Sequence, residues 1–130
     1  MLDIVLVEAD SMFCELMSVG LKAAGFDVRC AENLPDTLEL LKAKSVDMII
    51  SGGFYDGGGA EALIGSFENS IRPPIVIITG YLSQMENIPT DIPVLRKPCD
   101  VDDVLLEISN LFPDREEIKT LGPKPGGHIV

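Results

Sequence analysis

The chain has no tryptophan, a single histidine and few basic side chains. Ten Lys and Arg stand against 21 Asp and Glu, a formal net charge of −11. Binding nucleic acid needs a basic face to meet the phosphates, and this composition does not supply one, so no nucleic-acid partner is expected. The excess of acid is read as a solubilising surface charge. Long apolar runs are absent as well. The densest, Ile75 to Thr79, is strand-sized and far short of the roughly 18 residues a membrane span requires. Met1-Leu2-Asp3 lacks a basic n-region, and Glu8 and Asp10 interrupt the apolar run behind it. No signal peptide is therefore read, no membrane association is expected, and a cytoplasmic protein is the expectation. Cysteine is scarce and odd in number: Cys14, Cys30 and Cys99 show no CxxC or metal-ligand spacing. Each is expected to act as a small apolar core residue in a reducing compartment.

What is present is one domain's worth of ordinary globular sequence, 130 residues with 46% hydrophobic and 24% charged side chains. Short β-rich runs alternate with helix-period segments. Ile4 to Val7 is continuously apolar, as a strand buried on both faces should be. A helix is predicted from about Ser11, capped by Asp10 or Ser11 and stopped at Gly25, with Phe13, Leu16, Met17, Gly20 and Ala24 inward. Asp27 to Ala31 reads as a second strand. The next helix is capped by Asn33 or Asp36, with Leu34, Leu38 and Leu41 on one face.

Asp47 to Ser51 reads as a third strand, broken by the glycines after it. A third helix begins near Gly59, with Ala62, Leu63 and Phe67 inward. Pro73-Pro74 introduces a fourth strand, Ile75 to Thr79. Between residues 80 and 91 only a short helix fits, because Pro89 and Pro93 interrupt the segment. Ile92 to Arg96 reads as a fifth strand. A last helix runs from about Asp100 with Val101, Val104, Leu105, Ile108 and Phe112 in period. Residues 1–112 are thus expected to form the domain, and 113–130, with Gly-Pro-Lys-Pro-Gly-Gly, a flexible tail.

Five βα units with apolar strands predict an α/β fold, a doubly wound five-stranded parallel sheet with helices on both faces and a short or irregular fourth helix. Ligands of such folds sit beyond the carboxyl ends of the strands. That rule selects Glu8 to Ser11, Gly52 to Gly59, Thr79 to Tyr81 and Lys97 to Cys99.

The runs Ile4-Val5-Leu6-Val7-Glu8-Ala9-Asp10, Ala23-Ala24-Gly25-Phe26-Asp27-Val28, Asp47-Met48-Ile49-Ile50-Ser51, Ile77-Ile78-Thr79-Gly80-Tyr81 and Arg96-Lys97-Pro98 occur in this order. In this the chain resembles the receiver domains of response regulators, the CheY-like family, across about residues 3 to 112. The resemblance implies strand order 2-1-3-4-5. It also implies, in a working member, Mg²⁺ held between an acidic pair after the first strand and an aspartate ending the third. That aspartate takes a phosphoryl group from a phosphohistidine, while a Thr or Ser and the Lys of Lys-Pro contact the phosphoryl group.

Carried over position by position, Glu8 keeps a carboxylate, Ala9 has none, and the acceptor position is Gly52. Phe54 stands where the family lends the metal a carbonyl. Thr79, Lys97 and Pro98 remain, and Val94 takes the place of the usual switch aromatic. Magnesium asks for oxygen ligands in octahedral geometry, and phosphorylation asks for the carboxylate nucleophile itself. Only Glu8 and Asp10 remain to offer a metal carboxylates, so no cofactor is expected. Asp56 is the alternative acceptor, although reaching it would extend the third strand through Tyr55 and spoil the spacing from Asp47. Ser51 points to the other side by alternation. Lys97, without its usual partner, is left either to pair with Glu8 across the vacated position or to turn to solvent.

The expected function is a stand-alone, non-enzymatic pseudo-receiver of a two-component or phosphorelay network. It would act through contacts with signalling proteins such as a histidine kinase or another regulator, or through a homodimer. One alternative is a phosphoacceptor using Asp56 with Mg²⁺; a more remote one is a small nucleotide- or phosphate-binding protein using the rim at Thr79 and Lys97. Gly57-Gly58-Gly59-Ala60-Glu61-Ala62 fits G-x-G-x-x-A, but it follows the third strand rather than the first, so the glycines read as loop residues. His128 and Ile129-Val130 read as tail residues, and Tyr81 as a surface aromatic.

Overall fold

In a computed structural model that describes residues 2–68 and 70–115, the apolar runs become one all-parallel sheet. Its strands are β1 (Asp3–Val7), β2 (Asp27–Ala31), β3 (Met48–Gly52), β4 (Ile75–Thr79) and β5 (Val94–Arg96), in the order β2-β1-β3-β4-β5. The central strands β1, β3 and β4 carry apolar side chains on both faces, which is why they read as unbroken runs.

The pleat sorts these side chains into two cores. Ile4, Leu6, Met48, Ile50, Val76 and Ile78 face α1 (Ser11–Ala23) and α4 (Val101–Leu111). Val5, Val7, Ile49, Ile75 and Ile77 form the other core, against which residues of α2 (Leu34–Ala43) and α3 (Gly59–Gly65) pack. Helix starts follow their caps. Asp10 accepts from Phe13 N, Asn33 accepts from Asp36 N, and Asp100 closes a capping box with Asp103.

The structure differs from the sequence reading in several places. Leu16 is 66% exposed, and the buried stripe of α1 is Cys14, Met17, Ser18 and Leu21. Alpha-helical geometry puts Leu16 about 200° round from Cys14, outside that stripe. Met12 and Val19 are exposed with it. β5 begins two residues later than expected, at Val94, because Pro93 has no N–H to give; its carbonyl still accepts from Ile77 N at 2.9 Å. β3 extends one residue further than expected, so Gly52 is its last residue. α3 ends at Gly65, before Phe67, which nevertheless packs against the second core.

Between β4 and β5 only a 3₁₀ turn forms, Leu82–Gln84. Ile88 and Ile92 are buried there and help complete the second core. The cysteines do not all enter the core: Cys14 does, whereas Cys30 on edge strand β2 is exposed and Cys99 half-buried. The predicted tail from 116 onward, including His128, lies outside the described residues. Among the described residues no helix is long and apolar enough to cross a membrane.

Candidate functional site

Three chain segments bring polar side chains to the carboxyl edge of the sheet, and a fourth brings a glycine. Glu8 directly follows β1, where its N–H continues the ladder by donating to Ala31 O at 3.0 Å. Thr79 ends β4 and is buried; its carbonyl accepts from Lys97 N at 2.9 Å, which fixes the segment leaving β5. Lys97 precedes Pro98 through a cis peptide bond. Gly52 ends β3 between them, in register with Ile78.

Lys97 Nζ donates to Glu8 Oε1, so of the two arrangements open to this lysine the structure has the ion pair. The reason lies at Gly52. A Cβ built there would overlap Glu8 Oε2, so the glutamate carboxylate occupies the space that any side chain at 52 would enter. Glu8 is only 4% exposed, and a carboxylate so desolvated requires a paired cation. The Lys97 side chain is 29% exposed and also lies over the Phe13 ring, 4.5 Å from its centroid, so the ammonium gains a cation–π contact on its apolar side.

The neighbouring glycine is crowded in the same way. A Cβ at Gly53 would stand 2.7 Å from Thr79 Oγ1 and 3.2 Å from Met85 Cε. The Thr79 hydroxyl accepts from Tyr81 N at 3.1 Å, a local turn that holds the hydroxyl at the end of β4. Tyr81 is exposed and meets Phe54 edge-on, with ring centroids 5.8 Å apart.

Behind this rim Ser51 faces the second core, as alternation required. Its hydroxyl donates to Gly52 O at 2.7 Å and shares a 2.9 Å hydrogen bond with the Tyr55 hydroxyl. Burial pushes the Tyr55 phenol up to about 12; the Ser51 hydrogen bond opposes that shift and the Glu8 charge adds to it. The turn into α3 is made by Gly57, Gly58 and Gly59, all at positive φ. At Gly59 a side chain would also strike Gly53 O, the carbonyl that accepts from Ala60 N at 3.1 Å. The glycine run is thus a tight turn packed against β3.

The remaining sequence candidates fall outside this cluster. Ala9 is exposed, and the Asp10 carboxylate accepts from Phe13 N at 3.1 Å as the α1 cap. Asp56 is exposed and tied through its backbone to α2, its carbonyl accepting from Leu34 N at 2.8 Å. The donor set does not fit magnesium. Its one buried carboxylate is committed to an ammonium, and among the described residues no group of three or more His, Cys, Asp or Glu is placed to hold a metal ion. Sequence reasoning did not find Phe13 over Lys97, nor the Ser51–Tyr55 pair. Tyr55, an amphipathic residue in a loop between the Gly52-Gly53 pair and the run Gly57-Gly58-Gly59, was the available signal.

No family model and no curated protein matches the chain. Solved structures do resemble it. A two-component response regulator from Clostridium difficile superposes with a TM-score of 0.78 at 17% identity, covering 88% of this chain and 98% of that one. The chemotaxis response regulator CheY4 of Vibrio cholerae gives 0.75 at 18% identity, covering 85% and 98%. A response regulator protein from Burkholderia pseudomallei, with a phosphorylated aspartic acid, calcium ion and citrate, gives 0.66 at 19% identity over 93% and 71%. With the strand order β2-β1-β3-β4-β5, these likenesses establish the CheY-like receiver fold for this chain.

Proposed function

We propose that this chain is a receiver-type signalling module that takes no phosphoryl group at the usual acceptor position and acts by binding other proteins. The observation that carries this reading is the Glu8–Lys97 pair set against Gly52. In the receiver resemblance the acceptor aspartate belongs at position 52, within reach of the lysine. Here a carboxylate from the end of β1 fills that space and neutralises the lysine. It is buried, which withholds the solvent-exposed oxygen that an attack on phosphorus needs. The switch hydroxyl of Thr79 already has its own backbone partner, Tyr81 N. The Glu8 carboxylate and the Lys97 ammonium therefore balance each other's charge at the carboxyl edge.

Its partners, on this reading, are proteins of a two-component or phosphorelay network, such as a histidine kinase or another regulator. No reaction is assigned to the chain itself. Incubation with Mg²⁺ and a small phosphodonor, followed by intact mass, tests the proposal. The expected result is an unmodified mass. A phosphoryl adduct abolished by Asp56→Ala, or one mapping to Glu8, overturns it.

A further inference from the structure

Two of the three cysteines converge from different elements. Cys30 sits on β2, two residues from Val28, so the pleat points both side chains to the same face of the sheet. Val28 belongs to the core that α1 covers, together with Cys14, Met17 and Leu21. Cys30 is therefore directed at the underside of α1 from the sheet edge, and Cys14 comes down to meet it. Both line one shallow cavity, with Ser11, Glu15, Ser18 and Glu32. The pair is asymmetric, since Cys14 is buried and Cys30 exposed.

We propose that Cys14 and Cys30 form a dithiol modification site, in which a hydroperoxide oxidises the pair to an intramolecular disulfide that ties α1 to edge strand β2. The exposed Cys30 reacts first. Its sulfur attacks the hydroperoxide, the O–O bond breaks, the alcohol (or water) leaves, and Cys30 becomes a sulfenic acid. The Cys14 sulfur then attacks the Cys30 sulfur. The S–S bond forms, and the displaced hydroxide departs as water with the Cys14 proton. In sum, two thiols and one hydroperoxide give one disulfide, one alcohol and one water; the sulfurs lose two electrons and the peroxide gains them.

The surroundings set the rate and the choice of oxidant. Burial pushes the Cys14 thiol up to about 12, the nearby Cys30 adds to this, and Glu8 and Glu32 add further. Cys14 is thus shielded from a peroxide in solvent but lies beside Cys30, and its proton passes to the departing hydroxide as its sulfur attacks. The cavity carries Glu15 and Glu32 against one Lys22, a net negative lining that favours a neutral hydroperoxide over an anionic oxidant. Cys99 has no place in the pair. It lies beside α4, where burial, with Asp103 and Asp100, pushes its thiol up to about 11.

The test uses fully reduced chain freed of reductant, treated with hydrogen peroxide under native conditions, then unfolded and alkylated for mass mapping. The expected product lacks two hydrogens, links Cys14 to Cys30, leaves Cys99 alkylated, and reverts with dithiothreitol. Cys30→Ser, an exposed and conservative change whose folding is checked by circular dichroism, loses this product completely, and Cys99→Ser retains it. Oxidation that halts at Cys30 sulfinic acid with Cys14 still alkylated, a link to Cys99, or a Cys30-linked dimer overturns the proposal.

Discussion

Lys97 Nζ reaches from the segment after β5 to Glu8 Oε1 at the end of β1, and only the missing side chain of Gly52 leaves room for that pair. The two partners are unequally buried: the Glu8 residue is 4% exposed, whereas the Lys97 side chain is 29% exposed and can regain water. Removing either one should therefore have an unequal cost. Lys97→Met leaves a carboxylate in a largely dry site and is expected to destabilise by about 3 kcal/mol. Glu8→Gln keeps an acceptor oxygen for the ammonium and is expected to cost about 1 kcal/mol. Urea unfolding of the two variants checks the order, and an equal or reversed pair of losses contradicts the burial argument.

The strands were legible because β1, β3 and β4 are buried on both faces and so carry uninterrupted apolar runs. Two caps were legible because Asp10 and Asn33, each one of two candidates, act through bonds to the third residue ahead; the Asp100 capping box was not read. The segments that hold Glu8, Thr79 and Lys97 followed from the rule that ligands of such sheets sit beyond the carboxyl ends of the strands, and the receiver resemblance singled out these three within them. α1 was misread at Leu16 because Met12, Phe13, Leu16, Met17, Val19 and Leu21 spread apolar side chains around much of the helix. Periodicity cannot choose a face when most faces are apolar. Phe13 over Lys97 and Ser51 against Tyr55 were not legible at all. The first joins residues 84 positions apart, and the second depends on how a loop turns back beneath β3.

The turn after β3 offers a paired test of backbone reasoning. Gly59 has φ +72° and faces Gly53 O, so Gly59→Ala meets both left-handed strain and a backbone clash. It is expected to cost about 2 kcal/mol or more. Gly65, the last residue of α3, has open space around its Cβ direction. Gly65→Ala is expected to stabilise by about 0.5 kcal/mol through lower chain entropy and better helix propensity. Chemical denaturation of both variants should move in opposite directions.

Tyr55 gives a pH prediction with a definite sign. Its phenol moves from the ordinary 10 to about 12 in the folded chain. The folded state therefore holds this proton more tightly than the unfolded state. Stability from this group is complete below pH 10 and falls as pH rises from about 10 to about 12, where the unfolded chain ionises first. Cys14 and Cys99 shift in the same direction, so the comparison must be with Tyr55→Phe. That variant should lose part of the alkaline slope while keeping the rest. Absorbance titration should show Tyr55, of the two tyrosines in the chain, ionising near the upper value. A Tyr55→Phe variant with an unchanged slope contradicts the assignment.

Restoring the acceptor is the sharpest test of the role given to Glu8. Gly52→Asp alone puts a carboxylate where Glu8 Oε2 already lies, so the new side chain must displace the glutamate or the backbone. Such crowding costs about 1–3 kcal/mol, and the two carboxylates would then compete for the one ammonium of Lys97. The single variant is accordingly expected to be less stable and still to give no adduct with Mg²⁺ and a small phosphodonor. Glu8→Asp withdraws the first carboxylate by one methylene, and Ala9→Asp supplies the second member of the acidic pair. The triple variant Glu8→Asp, Ala9→Asp, Gly52→Asp thus has the three carboxylates that the receiver resemblance implies for a magnesium site, with Lys97 and Thr79 already in place. It is expected to recover part of the lost stability on adding Mg²⁺ and to gain one phosphoryl group at position 52 by intact mass and peptide mapping. If Gly52→Asp alone is phosphorylated as fully as the triple variant, Glu8 is not the obstacle, and the pair it makes with Lys97 does not bear on phosphorylation.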